Sequence, residues 1–295
     1  MQTPRHQVDA SRCKGDGICV EVCPKLCLEL HDGAVRTRED RAGYCIACGQ
    51  CVAVCPNMAL ALDGVEAGTF EPVVTWNFSD QDLFHFLAAR RSVRAFKDKP
   101  VERALIDRVL EGAALAPPSF PPHSVEILVL DGKEDIARLG RELVDGYGKL
   151  QALFHNPIAR GVIRLKRGAE TMHALKSHVL EVVQEKNAIF AATGEDRYLS
   201  GAPVLMLFHA CRWSTAYTEN ALLVASHAML AAHALGLGAT LLSIVPPLIN
   251  NMGEAIRPRL GLPDDNRVVI AMILGHPKYK FRQAIRRSLK SVRYL

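Results

Sequence analysis

Eight of the nine cysteines fall between Cys13 and Cys55, and the ninth is Cys211. The later group reads Cys45-x2-Cys48-x2-Cys51-x3-Cys55-Pro56. A tight loop at this spacing turns three thiolates toward one metal face, and the proline then ends the loop. The run is that of iron–sulfur ligation, in which three cysteines hold one cluster and the fourth reaches a second. Structural zinc is the competing chemistry, but zinc ribbons lack the third in-phase cysteine and the Cys-Pro ending.

The earlier group repeats the later one at an offset of 32. Cys13, Cys19, Cys23 and Pro24 recur as Cys45, Cys51, Cys55 and Pro56, and Leu28 and Leu30 recur as Leu60 and Leu62. Asp16 stands where the second copy has Cys48. Three outcomes are open. Asp16 ligates the fourth iron of a [4Fe–4S] cluster through its carboxylate, the site loses that iron and holds [3Fe–4S], or Asp16 is a solvated turn residue before Gly17. A carboxylate is a harder and weaker ligand than a thiolate for iron in a sulfide cage. Its register with Cys48 favours the ligand position. Cys27 matches Ala59, so it is read as a small core residue. Cys211 is read as core or interface. Repeats this short carry too little core to be stable without their metal.

Over about residues 5–64 this pattern resembles the two-cluster bacterial ferredoxins. By their crossing rule, Cys13, Asp16, Cys19 and Cys55 hold cluster one. Cys45, Cys48, Cys51 and Cys23 hold cluster two.

A second set of chemistry-bearing residues lies at Arg90-Arg91-Ser92-Val93-Arg94-Ala95-Phe96. Three arginines and a serine in five residues offer forked donors to phosphate and carbonyl oxygens. Four further features follow in order: the rigid turn Pro117-Pro118-Ser119, Gly201-Ala202-Pro203 before an apolar run, Leu235-Gly236-Leu237-Gly238-Ala239-Thr240, and Gly275-His276-Pro277. From about Ser79 to Arg287 this series resembles the FMN-dependent nitroreductase family. The resemblance implies that Arg90, Arg91, Ser92 and Arg94 hold the flavin ring edge, ribityl chain and phosphate. It places Pro118 and Ser119 on a turn supplied by the partner subunit of a homodimer. It puts the backbone of Leu242, Ser243 and Ile244 at the flavin N5, Arg197 at the N1/O2 edge, and Arg286 on the phosphate, with Arg287 or Lys280 as alternatives. The family's Asn and Gln after the Pro-Ser turn are replaced here by Pro121 and His123. No catalytic side chain is singled out.

These residues need elements to position them. Ser79 and Asp82 form a capping-box pattern at the head of a helix. Val101–Leu115 reads as an amphipathic helix, and residues 133–195 as mostly helical, broken at Gly146, Gly148, Pro157 and Gly168. Asn220–Leu235 reads as a long apolar helix ended by Gly236. Val125–Leu130, Pro203–His209, Ala239–Val245 and Arg267–Leu274 read as strands. The expected architecture is α+β: a ferredoxin-like two-cluster module over residues 1–64, a linker over 65–78, and an FMN nitroreductase-type α/β sandwich over 79–295, with a mixed sheet flanked by helices.

Composition excludes several classes. Of 295 residues, 49% are hydrophobic and 23% charged, which is a globular balance. The net charge of +5 is local, since residues 278–295 hold seven Lys/Arg and no acid, leaving 29 basic against 31 acidic residues elsewhere. A nucleic-acid footprint is therefore not expected. No stretch reaches the ~20 apolar residues of a membrane span. The first residues show no apolar signal core, which points to the cytoplasm.

The combination implies an oxidoreductase. Electrons enter two clusters from an external low-potential donor, ferredoxin or similar, pass to FMN, and leave to a small organic acceptor, nitroaromatic-like by the resemblance. The alternative is an electron carrier or redox sensor that acts on a protein partner without small-molecule turnover. Direct use of NAD(P)H is left open, because a missing dinucleotide glycine motif decides little here.

Overall fold

The computed structural model describes residues 6–63, 70–75, 77–117, 124–158, 161, 162, 165, 168, 170, 173, 180–251 and 255–295. They form two compact units, one running to Asn77 and the other beginning at Phe78. The expected turn residues Pro118 and Ser119, with Pro121 and His123, lie outside the described residues.

The first unit is built from two short antiparallel pairs and two single-turn helices. Strand β1 (His6–Val8) pairs with β4 (Leu60–Leu62), and β2 (Leu28–His31) with β3 (Ala34–Thr37). Helix α1 (Ile18–Glu21) and helix α2 (Gln50–Val54) sit at equivalent points of the repeat. Each follows a left-handed glycine, Gly17 at φ 74° and Gly49 at φ 73°. Only glycine takes that conformation without strain. The core here is small: Leu28, Val35 and Leu60 are buried with Cys19 and Cys51. So little apolar burial fits a unit that needs a further source of stability.

The second unit opens with α3 (Asp80–Ala89). The Ser79 hydroxyl accepts from the Asp82 N–H at 3.1 Å, and an Asp82 carboxylate oxygen accepts from the Ser79 N–H at 3.1 Å, which completes the capping box. Helix α4 (Arg103–Ala114) is followed by β5 (Val125–Leu130), α5 (Lys133–His155), α6 (Glu181–Thr193) and β6 (Val204–Cys211). Helix α7 (Tyr217–Ala234), β7 (Gly238–Leu242), α8 (Val245–Asn251), α9 (Ile256–Arg259) and β8 (Asn266–Gly275) complete it. The sheet order is β5-β6-β8-β7 with antiparallel pairs, and Ser92 adds one parallel bridge to Ala239.

Both faces of this sheet are covered. Leu205 and Leu207 of β6 and Ile273 of β8 pack with Leu139 and Leu143 of α5 on one side. Val204, Met206 and Phe208 pack with Ile106 and Val109 of α4 and Ala225 of α7 on the other. Alternate residues of each central strand therefore enter different cores, which is why β6 reads as an unbroken apolar run. The result is the α/β sandwich that the sequence suggested.

Departures from expectation have physical reasons. The strand expected over Ala239–Val245 ends at Leu242, and Val245 begins α8. Pro246 and Pro247 fall in the first turn of that helix, where a missing N–H costs nothing. Helix α5 also runs unbroken through Gly146 and Gly148. Between them Tyr147 is buried, and its hydroxyl donates to the Ile244 carbonyl at 2.5 Å. Tertiary anchoring of that kind outweighs the ~1 kcal/mol helix cost of a glycine.

Candidate functional site

The repeat of the first unit persists down to single hydrogen bonds. The Cys27 N–H donates to Cys23 Sγ at 3.3 Å, and the Ala59 N–H donates to Cys55 Sγ at 3.3 Å. The Leu26 N–H donates to the Cys23 carbonyl and the Met58 N–H to the Cys55 carbonyl, both at 3.1 Å. Leu26 and Met58 take the left-handed conformation, at φ 55° and 48°. A non-glycine residue held there twice at the same repeat position marks a turn fixed by its surroundings.

The thiols gather in two groups. Burial raises the pKa of Cys19, and the nearby charges of Cys55, Asp16 and Cys13 add to the rise. Burial pushes Cys51 up to about 11, with Cys23, Cys48 and Cys45 adding to it. Each buried cysteine thus has neighbours from both copies of the repeat. Among the described residues, no three His, Cys, Asp or Glu side chains converge as donors to one metal ion. A single zinc ion would draw four donors to within ~2.0–2.3 Å. Buried thiols are stable as thiolates where a metal offsets their charge. Two groups of thiols, each drawn from both copies of the repeat, fit a pair of iron–sulfur cages.

The two groups are not equivalent. Asp16 is exposed, and one carboxylate oxygen accepts from the Ile18 N–H at 3.2 Å. Cys27 is fully buried, as a core residue should be, and lines a small cavity with Cys23, Cys45, Cys48 and Cys51. Burial pushes its thiol up to about 12. Cys211 is half-buried at the end of β6.

In the second unit Arg90 closes α3, its N–H bonded to the Phe86 carbonyl at 3.3 Å. Its guanidinium reaches Met229 Sδ at 3.5 Å. Burial lowers its pKa first, then the neighbouring charges of Arg91 and Arg287. Arg90 and Arg91 line two cavities. Arg286 and Arg287 share one of them. Lys280, His233, Gly236 and Gly238 share the other. Cations crowded around open space are a site for an anion. The expected Arg286 and its alternatives Arg287 and Lys280 all border Arg90 and Arg91.

The arginine segment is held against the sheet. The Val93 N–H donates to the Ala239 carbonyl at 3.1 Å, and the Thr240 hydroxyl donates to the Val93 carbonyl at 2.5 Å. A Cβ on Gly238 would lie 2.7 Å from Val93 side-chain carbons, so this approach requires glycine. Further along, the Lys97 N–H donates to the His276 carbonyl and the Lys278 N–H to the Ala95 carbonyl, both at 2.9 Å. Ser92 and Arg94 are exposed.

At the end of β7, Leu242 is buried and Ser243 exposed, and the Ile244 carbonyl is held by Tyr147. Tyr147 stacks on Tyr198 with centroids 5.6 Å apart. The Lys186 ammonium lies 4.8 Å over the Tyr198 ring. Burial lowers the Lys186 pKa, Asp196 opposes that shift, and the charge of Arg94 reinforces it. Arg197 instead pairs with Glu195 at 2.8 Å and is half exposed. Lys186 is thus near enough to Arg94 to feel its charge. Lys186, Tyr147 and Tyr198 were not singled out from sequence. The usable signal was local: Asp196 accepts from the Tyr198 and Leu199 N–H groups at 2.7 and 3.1 Å, a turn just before a buried strand.

The profile described as the nitroreductase family matches residues 87–276, and that described as a 4Fe-4S dicluster domain matches residues 5–63. A search of curated proteins gives no match. Among solved structures, a nitroreductase with bound FMN from Bacteroides fragilis is 15% identical, with a TM-score of 0.55, over 72% of this chain and 99% of that one. A nitroreductase with bound FMN from Desulfitobacterium hafniense is 18% identical, with a TM-score of 0.51, over 72% and 97%. Oxidized iodotyrosine deiodinase bound to FMN and 3-iodo-L-tyrosine is 17% identical, with a TM-score of 0.52, over 72% and 98%. At these identities the likeness is one of fold. Among the described residues, no helix is long and apolar enough to cross a membrane.

Proposed function

The chain belongs to the nitroreductase family, and we propose that it takes electrons from a low-potential donor through two iron–sulfur clusters to FMN and delivers them to a small organic acceptor. What supports this reading is that Cys19 and Cys51 each have thiol neighbours from both copies of the repeat, while Arg90, Arg91, Arg286 and Arg287 line one cavity of the second unit. When bound, the clusters exchange single electrons, and FMN exchanges one or two electrons or a hydride.

The ligand set proposed for cluster one is Cys13, Asp16, Cys19 and Cys55. That for cluster two is Cys45, Cys48, Cys51 and Cys23. Asp16 makes the first set weaker, since its carboxylate already accepts from the Ile18 N–H and binds iron less firmly than a thiolate. Cluster one is accordingly a [4Fe–4S] cluster with an aspartate ligand, or [3Fe–4S] once that iron is lost. Cluster two is [4Fe–4S].

Arg90 and Arg91, with Lys280, Arg286 or Arg287, would hold the FMN phosphate. Ser92 and Arg94 would face the ribityl chain and ring, and the backbone from Leu242 to Ile244 the N5 edge. Lys186 beside Arg94 adds positive charge at that end of the site, which favours an anionic reduced flavin. Arg197 would serve the N1/O2 edge on exchanging Glu195 for the flavin. Pro118 and Ser119 of a partner subunit would complete the site in a homodimer. The acceptor class rests on kinship with nitroreductases, and the same fold hosts other reductions.

Arg90→Ala removes one charge-assisted contact, worth ~1.5–3 kcal/mol. FMN affinity should fall about 10- to 100-fold by fluorescence titration while riboflavin affinity changes little and iron content stays the same. Equal losses for both flavins would remove Arg90 from the phosphate site.

Oxidised wild type should give a [3Fe–4S] EPR signal from one of its two clusters, and Asp16→Cys should suppress it. A wild type whose clusters both resist oxidation alike would contradict unequal ligation.

The electron route is tested by Cys48→Ser. Units with separate cores tolerate local damage. The variant should keep FMN and reduce acceptors after photoreduction, yet lose turnover driven by reduced ferredoxin. Surviving ferredoxin turnover without cluster two would make the N-terminal unit structural or regulatory. A flavin that no small acceptor reoxidises would favour the electron-carrier reading.

A further inference from the structure

The two cluster cages differ in a second way, and this inference rests on the cluster reading above. His6 lies on β1, where pairing with Leu62 fixes its backbone. Its Nε2 stands 3.9 Å from Cys45 Sγ, and its ring lines the same small cavity as Cys23, Cys27, Cys48 and Cys51. Its Nδ1 is buried with no hydrogen-bond partner among the described residues.

With a cluster held by Cys45, this arrangement favours one tautomer. A metal-bound thiolate sulfur only accepts, so a neutral imidazole facing it carries its proton on Nε2. Nδ1 is then a bare lone pair in the core, a smaller cost than an unmade N–H donor with nothing to accept it.

The repeat has no equivalent at the other cage. His6 pairs with Leu62 as Val35 pairs with Leu30, so the position matching His6 is Val35, a buried apolar side chain that donates nothing. Cys13, the counterpart of Cys45, has no side-chain donor among the described residues. The backbone donors to sulfur are matched, Cys27 to Cys23 and Ala59 to Cys55. His6 is therefore the added element.

We propose that His6 donates its Nε2–H to the Cys45 sulfur and thereby raises the reduction potential of the cluster held by Cys45, Cys48, Cys51 and Cys23. Reduction adds one electron to the cage, and a donor on its sulfur stabilises the more negative state. His6 does not ligate iron. It acts through a ligand, as partners of metal-bound residues commonly do.

The test is an EPR-monitored redox titration of the whole protein as wild type, His6→Phe and His6→Gln. In His6→Phe one [4Fe–4S] couple should move to lower potential while the other cluster's couple stays in place. In His6→Gln, whose amide can donate, most of that fall should be recovered. Unchanged couples in His6→Phe, or equal movement of both, would overturn the proposal. A wild type with no cluster signals would instead end the cluster reading itself. Should His6→Phe fail to assemble cluster two, pulsed EPR on reduced wild type labelled with 15N in histidine decides the question. A weak 15N coupling on one cluster supports the contact, and its absence from both rules it out.

Discussion

Gly17 and Gly49 turn the chain through the left-handed region just before Cys19 and Cys51, and the arrangement of the first unit follows from those two turns. Each starts a helix of a single turn, buries one cysteine and leaves the next to reach the other copy. The core around them is too small to hold these turns alone. Stability and cofactor are therefore linked: the thiols raised by burial become favourable only with a metal to hold them as thiolates. A residue with a Cβ at either glycine would strain the turn and so act on both at once.

The second unit solves the opposite problem. Its sheet is buried on both faces by a large apolar core. What it brings together is positive charge. Arg90, Arg91 and Arg287 crowd one another at the end of α3, and Lys186 faces Arg94 near Ile244. Like charges held together by apolar packing are a store of repulsion that an anionic cofactor relieves. Gly238 allows the arginine segment to lie against β7, so the close approach of Val93 and the placement of Arg90 are one requirement.

Much of this was readable from residues alone. The cysteine spacing carried the cluster chemistry, Ser79 and Asp82 marked a helix start to the residue, and β5 begins and ends where its apolar run does. The departures share a cause. Pro246-Pro247 punctuates a sequence either as a stop or as a helix opening, and only the fold chose the second. Gly146 and Gly148 stay helical because Tyr147 between them is anchored to a distant carbonyl. Lys186 gains meaning from Arg94, far away in sequence, and His6 from Cys45. Contacts of long sequence separation leave no local pattern.

The central claim is that electrons pass from the clusters to the flavin. Rapid-freeze EPR combined with stopped-flow absorbance, on wild type mixed with substoichiometric reduced ferredoxin, follows both centres in one reaction. The account predicts that reduced-cluster signals form first and decay at the rate at which flavin absorbance bleaches. Bleaching that precedes any reduced-cluster signal would contradict it.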